Sequence, residues 1–257
     1  MQGNLREALK SKVLVAYLTA GDPYVNSEIV DVLSKCGVDI FEFGVPTVKP
    51  KYDGLTIKAS YKRALRNGAT VEKSFSLIKN FQLAHKVVFT YFELAKAVGL
   101  ENFMEYVSNA GAEGIFFPDL LIEYMEELET YLRLCMKHDF DPMFFITSTF
   151  PHKTVSKLVQ LNPAFIYLGL MASTGTFLPI TVTKAIKIMK GLAGDTPLLV
   201  GFAINDPSQV SDYVKAGADG VVVGSAILKL INNGQNMRLK KEKLAKFVRS
   251  LKEALEA

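Results

Sequence analysis

The chain has 257 residues, 49% hydrophobic and 22% charged, with no Trp, two Cys and three His. That composition supplies a full core and excludes a disordered chain, and a net charge of +4 without a basic block argues against nucleic acid as a partner. No apolar run approaches the roughly 18–20 residues that span a bilayer, and the polar N-terminal stretch lacks the apolar region of a signal peptide. Cys36 and Cys135 are too few for a disulfide framework and belong to no CxxC pair, while His85, His138 and His152 show no ligand spacing. A reducing, cytoplasmic setting and no metal are therefore expected.

In chain order, a helical stretch Gln2–Leu9 precedes a first strand, Lys12–Leu18. Asn26 caps a helix over Ser27–Cys36 that stops at Gly37. The strand Val38–Phe43 leads into the loop Gly44–Gly54 and a helix Leu55–Arg66, closed by Asn67-Gly68. Next come a helix Val71–Leu83, a strand Lys86–Phe92, a helix Leu100–Ala110, a strand Gly114–Phe117 and a helix Leu121–Lys137. The strand Pro142–Ile146, the helix Thr154–Leu161 and the strand Ala164–Leu168 lead to a long loop, Gly169–Pro179. The series ends with the helix Thr181–Leu192, the strand Pro197–Phe202, the helix Ser208–Ala216, the strand Gly220–Val223 and a closing helix Lys240–Glu256. Most strands are continuous apolar runs, as strands buried on both faces are. Eight strands alternating with helices over about 250 residues predict an α/β chain folded as one (β/α)8 TIM barrel, residues 1–257, with an extra N-terminal helix. The rival is an open doubly wound sheet, but no GxGxxG follows any strand.

The second strand reads VDIFEFG. If Val38, Ile40 and Glu42 face the barrel interior, Asp39, Phe41 and Phe43 face the helices. A carboxylate inside the barrel is costly as an anion, so its pKa should rise, which suits a general acid/base. The alternatives are a flipped register or a basic partner for Glu42. The following loop holds two prolines and brings Asp53-Gly54 back over the barrel mouth. The plainer role for Asp53 is a turn and helix cap.

Gly201-Phe202-Ala203-Ile204 follows the seventh strand and Gly224-Ser225-Ala226-Ile227 the eighth. Barrel enzymes place a phosphate at these two turns, against a short helix. Small residues admit the anion and Ser225 offers a hydroxyl; otherwise these are merely tight turns. Thr174-Gly175 could add donors from a loop short enough to act as a lid.

These pieces together resemble the tryptophan synthase alpha subunit family, over nearly the whole chain. LTAGDP (Leu18–Pro23), FEFGVPTVKPKYDG (Phe41–Gly54), FPDLL (Phe117–Leu121), STG (Ser173–Gly175), GFAI (Gly201–Ile204) and AGADGVVVGSAI (Ala216–Ile227) follow in the family's order. The resemblance implies retro-aldol cleavage of indole-3-glycerol phosphate to indole and glyceraldehyde 3-phosphate. The chain would need no cofactor, pyridoxal phosphate belonging to a beta-subunit partner. Carried over by motif, Glu42 is the acid/base and Asp53 the second carboxylate, accepting a hydrogen bond from the indole N–H. Gly175, Ala203, Gly224 and Ser225 match phosphate contacts, and Phe202 and Tyr17 indole-pocket positions. Tyr167 matches a tyrosine near the catalytic Glu and Tyr91 a third-strand tyrosine, though Tyr91 and Phe117 also suit ordinary core packing. Two alternatives are another phosphate-binding barrel isomerase or synthase, and a chain that chiefly activates its partner.

The loop departs from the usual P-F-S-D-P-L-A-D-G pattern. Lys49 replaces an Asp that often meets a basic group of the beta subunit, and Glu93 stands where Asn is common. Such sign changes predict a non-standard beta partner, or a complex weaker than α2β2. Lys49–Tyr52 resembles archaeal members more than bacterial ones. Ala203 stands where Gly is common, and the loop around Met171 lacks a customary basic residue, which predicts low activity in isolation.

Overall fold

A computed structural model describes residues 4–169, 181–201, 204–234 and 236–257. Eight parallel strands run β1 (Val13–Thr19), β2 (Ile40–Gly44), β3 (Lys86–Phe89), β4 (Ile115–Phe116), β5 (Met143–Thr147), β6 (Phe165–Gly169), β7 (Leu198–Gly201) and β8 (Gly220–Val223). Their order is β4-β3-β2-β1-β8-β7-β6-β5, a nearly closed barrel of the TIM type. Apart from Gly201 and Tyr167, every strand residue is buried, which is why the strands read as unbroken apolar runs.

The ring is not joined by a ladder between β4 and β5 among the described residues. A side chain bridges this seam instead. The Tyr131 hydroxyl donates to the Ile115 carbonyl of β4 (2.9 Å), lies 3.2 Å from the Met143 carbonyl of β5, and accepts from the Met143 N–H (2.9 Å).

The helices α1 (Leu5–Ala8), α2 (Ser27–Lys35), α3 (Leu55–Arg66), α4 (Val71–Asn80), α5 (Phe92–Val98), α6 (Leu100–Asn109), α7 (Leu120–Glu123), α8 (Leu128–Lys137), α9 (His152–Gln160), α10 (Val182–Ala193), α11 (Pro207–Lys215), α12 (Ser225–Ile231) and α13 (Met237–Glu256) fill the crossovers and ends. Three differ from the sequence reading for tertiary reasons. The third strand stops at Phe89 because the buried Asp119 carboxylate accepts from the N–H groups of Phe92 (2.7 Å) and Glu93 (3.3 Å) and so starts α5. Helix α4 ends at Asn80, not Leu83. There Phe81 turns to an extended conformation and stacks on Phe43 (5.4 Å), while the buried Lys86 ammonium takes the carbonyls of Ile78 and Phe81. The helix expected over Leu121–Lys137 breaks at Tyr124 into α7, a 3-10 turn at Met125–Glu127, and α8.

Candidate active site

Glu42 and Tyr17 are register partners on β2 and β1, so their side chains share one face of the sheet. That face is the barrel interior. On the other parity, Phe43 stacks on Phe81 and Asp39 receives Lys252 of α13 (2.8 Å), both outside the ring. Glu42 is 2% exposed, and among the described residues no hydrogen bond or ion pair engages it. Burial first, and the negative charge of Asp53 second, push its pKa well above the ordinary carboxylate range. Both sequence alternatives, outward register and a basic partner, are absent among the described residues.

Asp53 lies at the mouth, just before Gly54 at the start of α3. Among the described residues no side-chain hydrogen bond caps that helix, whose N-cap is Gly54. Instead Asp53 Oδ2 accepts from the Tyr91 hydroxyl (2.8 Å). Burial raises its pKa to about 6, against the lowering pull of the Tyr91 bond and of Lys58. The two carboxyls therefore differ: burial favours the protonated form of Glu42, while Asp53, with its pKa of about 6, is mostly ionised at neutral pH.

An aromatic arc lines the interior beside them. Tyr17 meets Phe89 edge-on (5.9 Å), Phe89 meets Phe116 (5.4 Å), Phe116 meets Tyr167 (5.4 Å), and Tyr167 meets Phe145 (5.4 Å). Burial raises the pKa of Tyr167, and the charges of Glu42 and Asp53 raise it further, so this residue on β6 faces the same interior as the carboxylates. Two strand-end glycines make room. A methyl group at Gly44 would overlap the Tyr17 hydroxyl, and one at Gly201 the Tyr167 hydroxyl.

Sequence reasoning missed Phe89, Phe116 and Lys58. Phe89 could have been found, since it shares strand parity with Tyr91 two residues on. Phe117 takes the other parity, packing against Phe92 (5.3 Å) and Tyr131 (5.9 Å) in the outer core. Gly224 and Ser225, both partly exposed, sit where β8 gives way to α12, and Gly224 packs against the Tyr17 ring side. Thr174, Gly175, Phe202 and Ala203 lie outside the described residues.

The structural motifs also have identifiable work. Asp22 of LTAGDP is buried and takes Arg63 (2.5 Å) and Ser60 from α3, fixing the helix that follows Asp53.

A family model described as Tryptophan synthase alpha chain matches residues 4–256. The tryptophan synthase alpha chain of Arabidopsis thaliana is 34% identical over 250 residues, covering 94% of this chain and 90% of that one. That of Methanosarcina mazei is 34% identical, covering 96% and 90%. Among solved structures, a chain from Aquifex aeolicus superposes with a TM-score of 0.84 at 27% identity, covering 99% of each chain. A chain from a structure of the Pyrococcus furiosus tryptophan synthase α2β2 complex superposes with a TM-score of 0.82 at 27% identity, covering 95% and 98%. The chain belongs to the tryptophan synthase alpha chain family.

Proposed function

We propose that this chain cleaves indole-3-glycerol phosphate, the reaction of its family, with Glu42 moving the protons and Asp53 holding the indole. The products are indole and glyceraldehyde 3-phosphate, and the reaction is a carbon–carbon lyase step in tryptophan biosynthesis. Glu42, protonated by virtue of its burial, delivers a proton to C3 of the indole ring and makes a cationic indolenine. Its carboxylate then takes the proton of the adjacent glycerol hydroxyl. The electrons of that O–H bond become the new carbonyl, and the C–C bond electrons return to the indole. Ionised Asp53 accepts from the ring N–H and stabilises the positive charge that grows there. Tyr17 and Tyr167 wall the ring. The turn at Gly224-Ser225 receives the phosphate, with Thr174, Gly175, Phe202 and Ala203 completing the pocket by resemblance.

The observation that carries this reading is a buried glutamate that no cation among the described residues neutralises, facing a second, ionised carboxyl across an aromatic-lined interior. Indole release by purified Glu42→Gln tests it. Turnover should fall by about 10²–10⁴-fold with substrate affinity largely kept. Near-normal turnover would refute the role.

The chain works as a single domain over residues 1–257 and needs no cofactor of its own; the beta subunit carries pyridoxal phosphate. Its partner is that beta subunit, in an α2β2 or weaker assembly. Val48, Ile122 and Met125, exposed on the crossovers after β2 and β4, supply apolar surface for it. Among the described residues no helix is long and apolar enough to cross a membrane. Two free, buried cysteines suit a reducing cytoplasm.

A further inference from the structure

Asp53 is held from behind. The Tyr91 hydroxyl that donates to Asp53 also accepts from the backbone N–H of Tyr52 (2.8 Å). The Tyr52 ring stacks on the Tyr91 ring, with centroids 6.1 Å apart and planes 16° from parallel. At the far end of that ring the Tyr52 hydroxyl donates to Glu123 Oε1, and the Lys51 ammonium donates to Glu123 Oε2 (2.5 Å). Glu123 is the last residue of α7, after β4. Lys49 and Lys51 each also lie 3.5 Å from Glu93 of α5, after β3. Three successive crossovers are thereby stapled at the mouth of the barrel. Rim ion pairs taken singly contribute little. Here one carboxylate accepts two bonds, one from a phenol whose own backbone is tied to the tyrosine holding Asp53.

We propose that Tyr52 and Glu123 are positioning residues for the lyase reaction: Glu123 latches the Tyr52 ring, and through Tyr91 the latch sets the angle at which the Asp53 carboxylate meets the substrate. The proposal rests on the reading of Asp53 given above. Neither residue touches the reacting atoms. Their loss therefore weakens a placement and leaves the binding surface intact, so it falls on kcat. A displacement of about 1 Å at a reacting group costs up to about 100-fold. The latch uses only side chains of this chain, so Asp53 is set before substrate arrives.

The test uses the full-length chain and indole release from indole-3-glycerol phosphate. Tyr52→Phe keeps the ring, the stacking and the backbone bond to Tyr91, and removes one hydroxyl. Its kcat should fall about tenfold with KM changed by less than about twofold. Glu123→Ala should do the same. Glu123→Gln, whose amide oxygen still accepts from Tyr52, should recover most of that loss. The double variant Tyr52→Phe/Glu123→Ala should be no slower than the slower single, because Glu123→Ala already removes the bond that Tyr52→Phe removes. Trypsin gives a readout without turnover. Lys49-Pro50 resists cleavage, so nicking after Lys51 should accelerate in Tyr52→Phe and Glu123→Ala if the loop is unlatched. Wild-type kcat in both variants, a rise in KM at constant kcat, or additive losses would each overturn the latch. In an Asp53→Asn background Tyr52→Phe should cost nothing more. Wild-type turnover by Asp53→Asn would bring down the Asp53 reading and the latch together. An impaired Asp53→Asn beside an unimpaired Tyr52→Phe removes the latch alone.

Discussion

Glu42 and Asp53 are the same chemistry in two environments, and the difference between them should be visible in a pH profile. Asp53 must be ionised to serve the ring N–H, and burial sets its pKa at about 6. As pH falls through that value it takes up a proton, so kcat/KM should drop on the acid side about tenfold per pH unit. Glu42 must start protonated, so its raised pKa sets an alkaline limb at which activity is lost as the proton leaves. The two limbs belong to a coupled pair. Asp53→Asn should cost about 3 kcal/mol of transition-state stabilisation and erase the acid limb. It should also move the alkaline limb to lower pH, because Glu42 loses the anionic neighbour that helps keep it protonated. A profile of kcat/KM from pH 5 to pH 9 checks both; an acid limb that survives in Asp53→Asn would assign it to another group. The inward aim of Glu42 was legible in the sequence because strand parity dictates it. The Tyr91–Asp53 bond was not: it joins residues of different crossovers, and no local pattern encodes that meeting.

At the scale of elements, the strands were legible because each is an apolar run bounded by turn residues. The boundaries misread at α4 and α5 involve side chains of other elements. Asp119 starts α5 from 27 residues away, and Lys86 and Phe43 end α4. The break at Tyr124 frees Glu123 to meet Lys51 and Tyr52. Periodicity reports a helix's own face and is silent about caps supplied by another element. The β4–β5 seam follows the same rule. Tyr131 reads as one more apolar-face residue of α8, yet its hydroxyl serves backbone groups on both strands. Tyr131→Phe removes that buried bridge without altering shape. It should lower the unfolding free energy by about 2–4 kcal/mol, since buried peptide groups lose their partner. Urea unfolding followed by circular dichroism measures it, and an unchanged midpoint would mean that the seam holds by packing alone.

For the whole molecule, the sequence departures at Lys49 and Glu93 turn out to be neighbours, 3.5 Å apart and of opposite sign. Each is partly neutralised within the chain, so the mouth presents a paired cluster where a simple reversal of charge was expected. A beta subunit fitted to this surface should still be told apart from a conventional one. In calorimetric titration the beta subunit from the same source should bind at least about tenfold tighter than a conventional one, a difference of about 1.4 kcal/mol. Equal affinity for both would refute a matched partner.

The seam has one more consequence. In the ring order, β4 and β5 stand at the two ends, while β2, β1 and β8, which carry or adjoin Glu42, Tyr17 and Ser225, are the contiguous middle. A barrel that breathes along its unladdered edge would spread there first, and amide deuterium uptake should begin at its two lips. The architecture thus places its slack away from Glu42 and the anion turn, and the Tyr131 bridge and the Glu123 contact are what keep that slack from reaching Asp53.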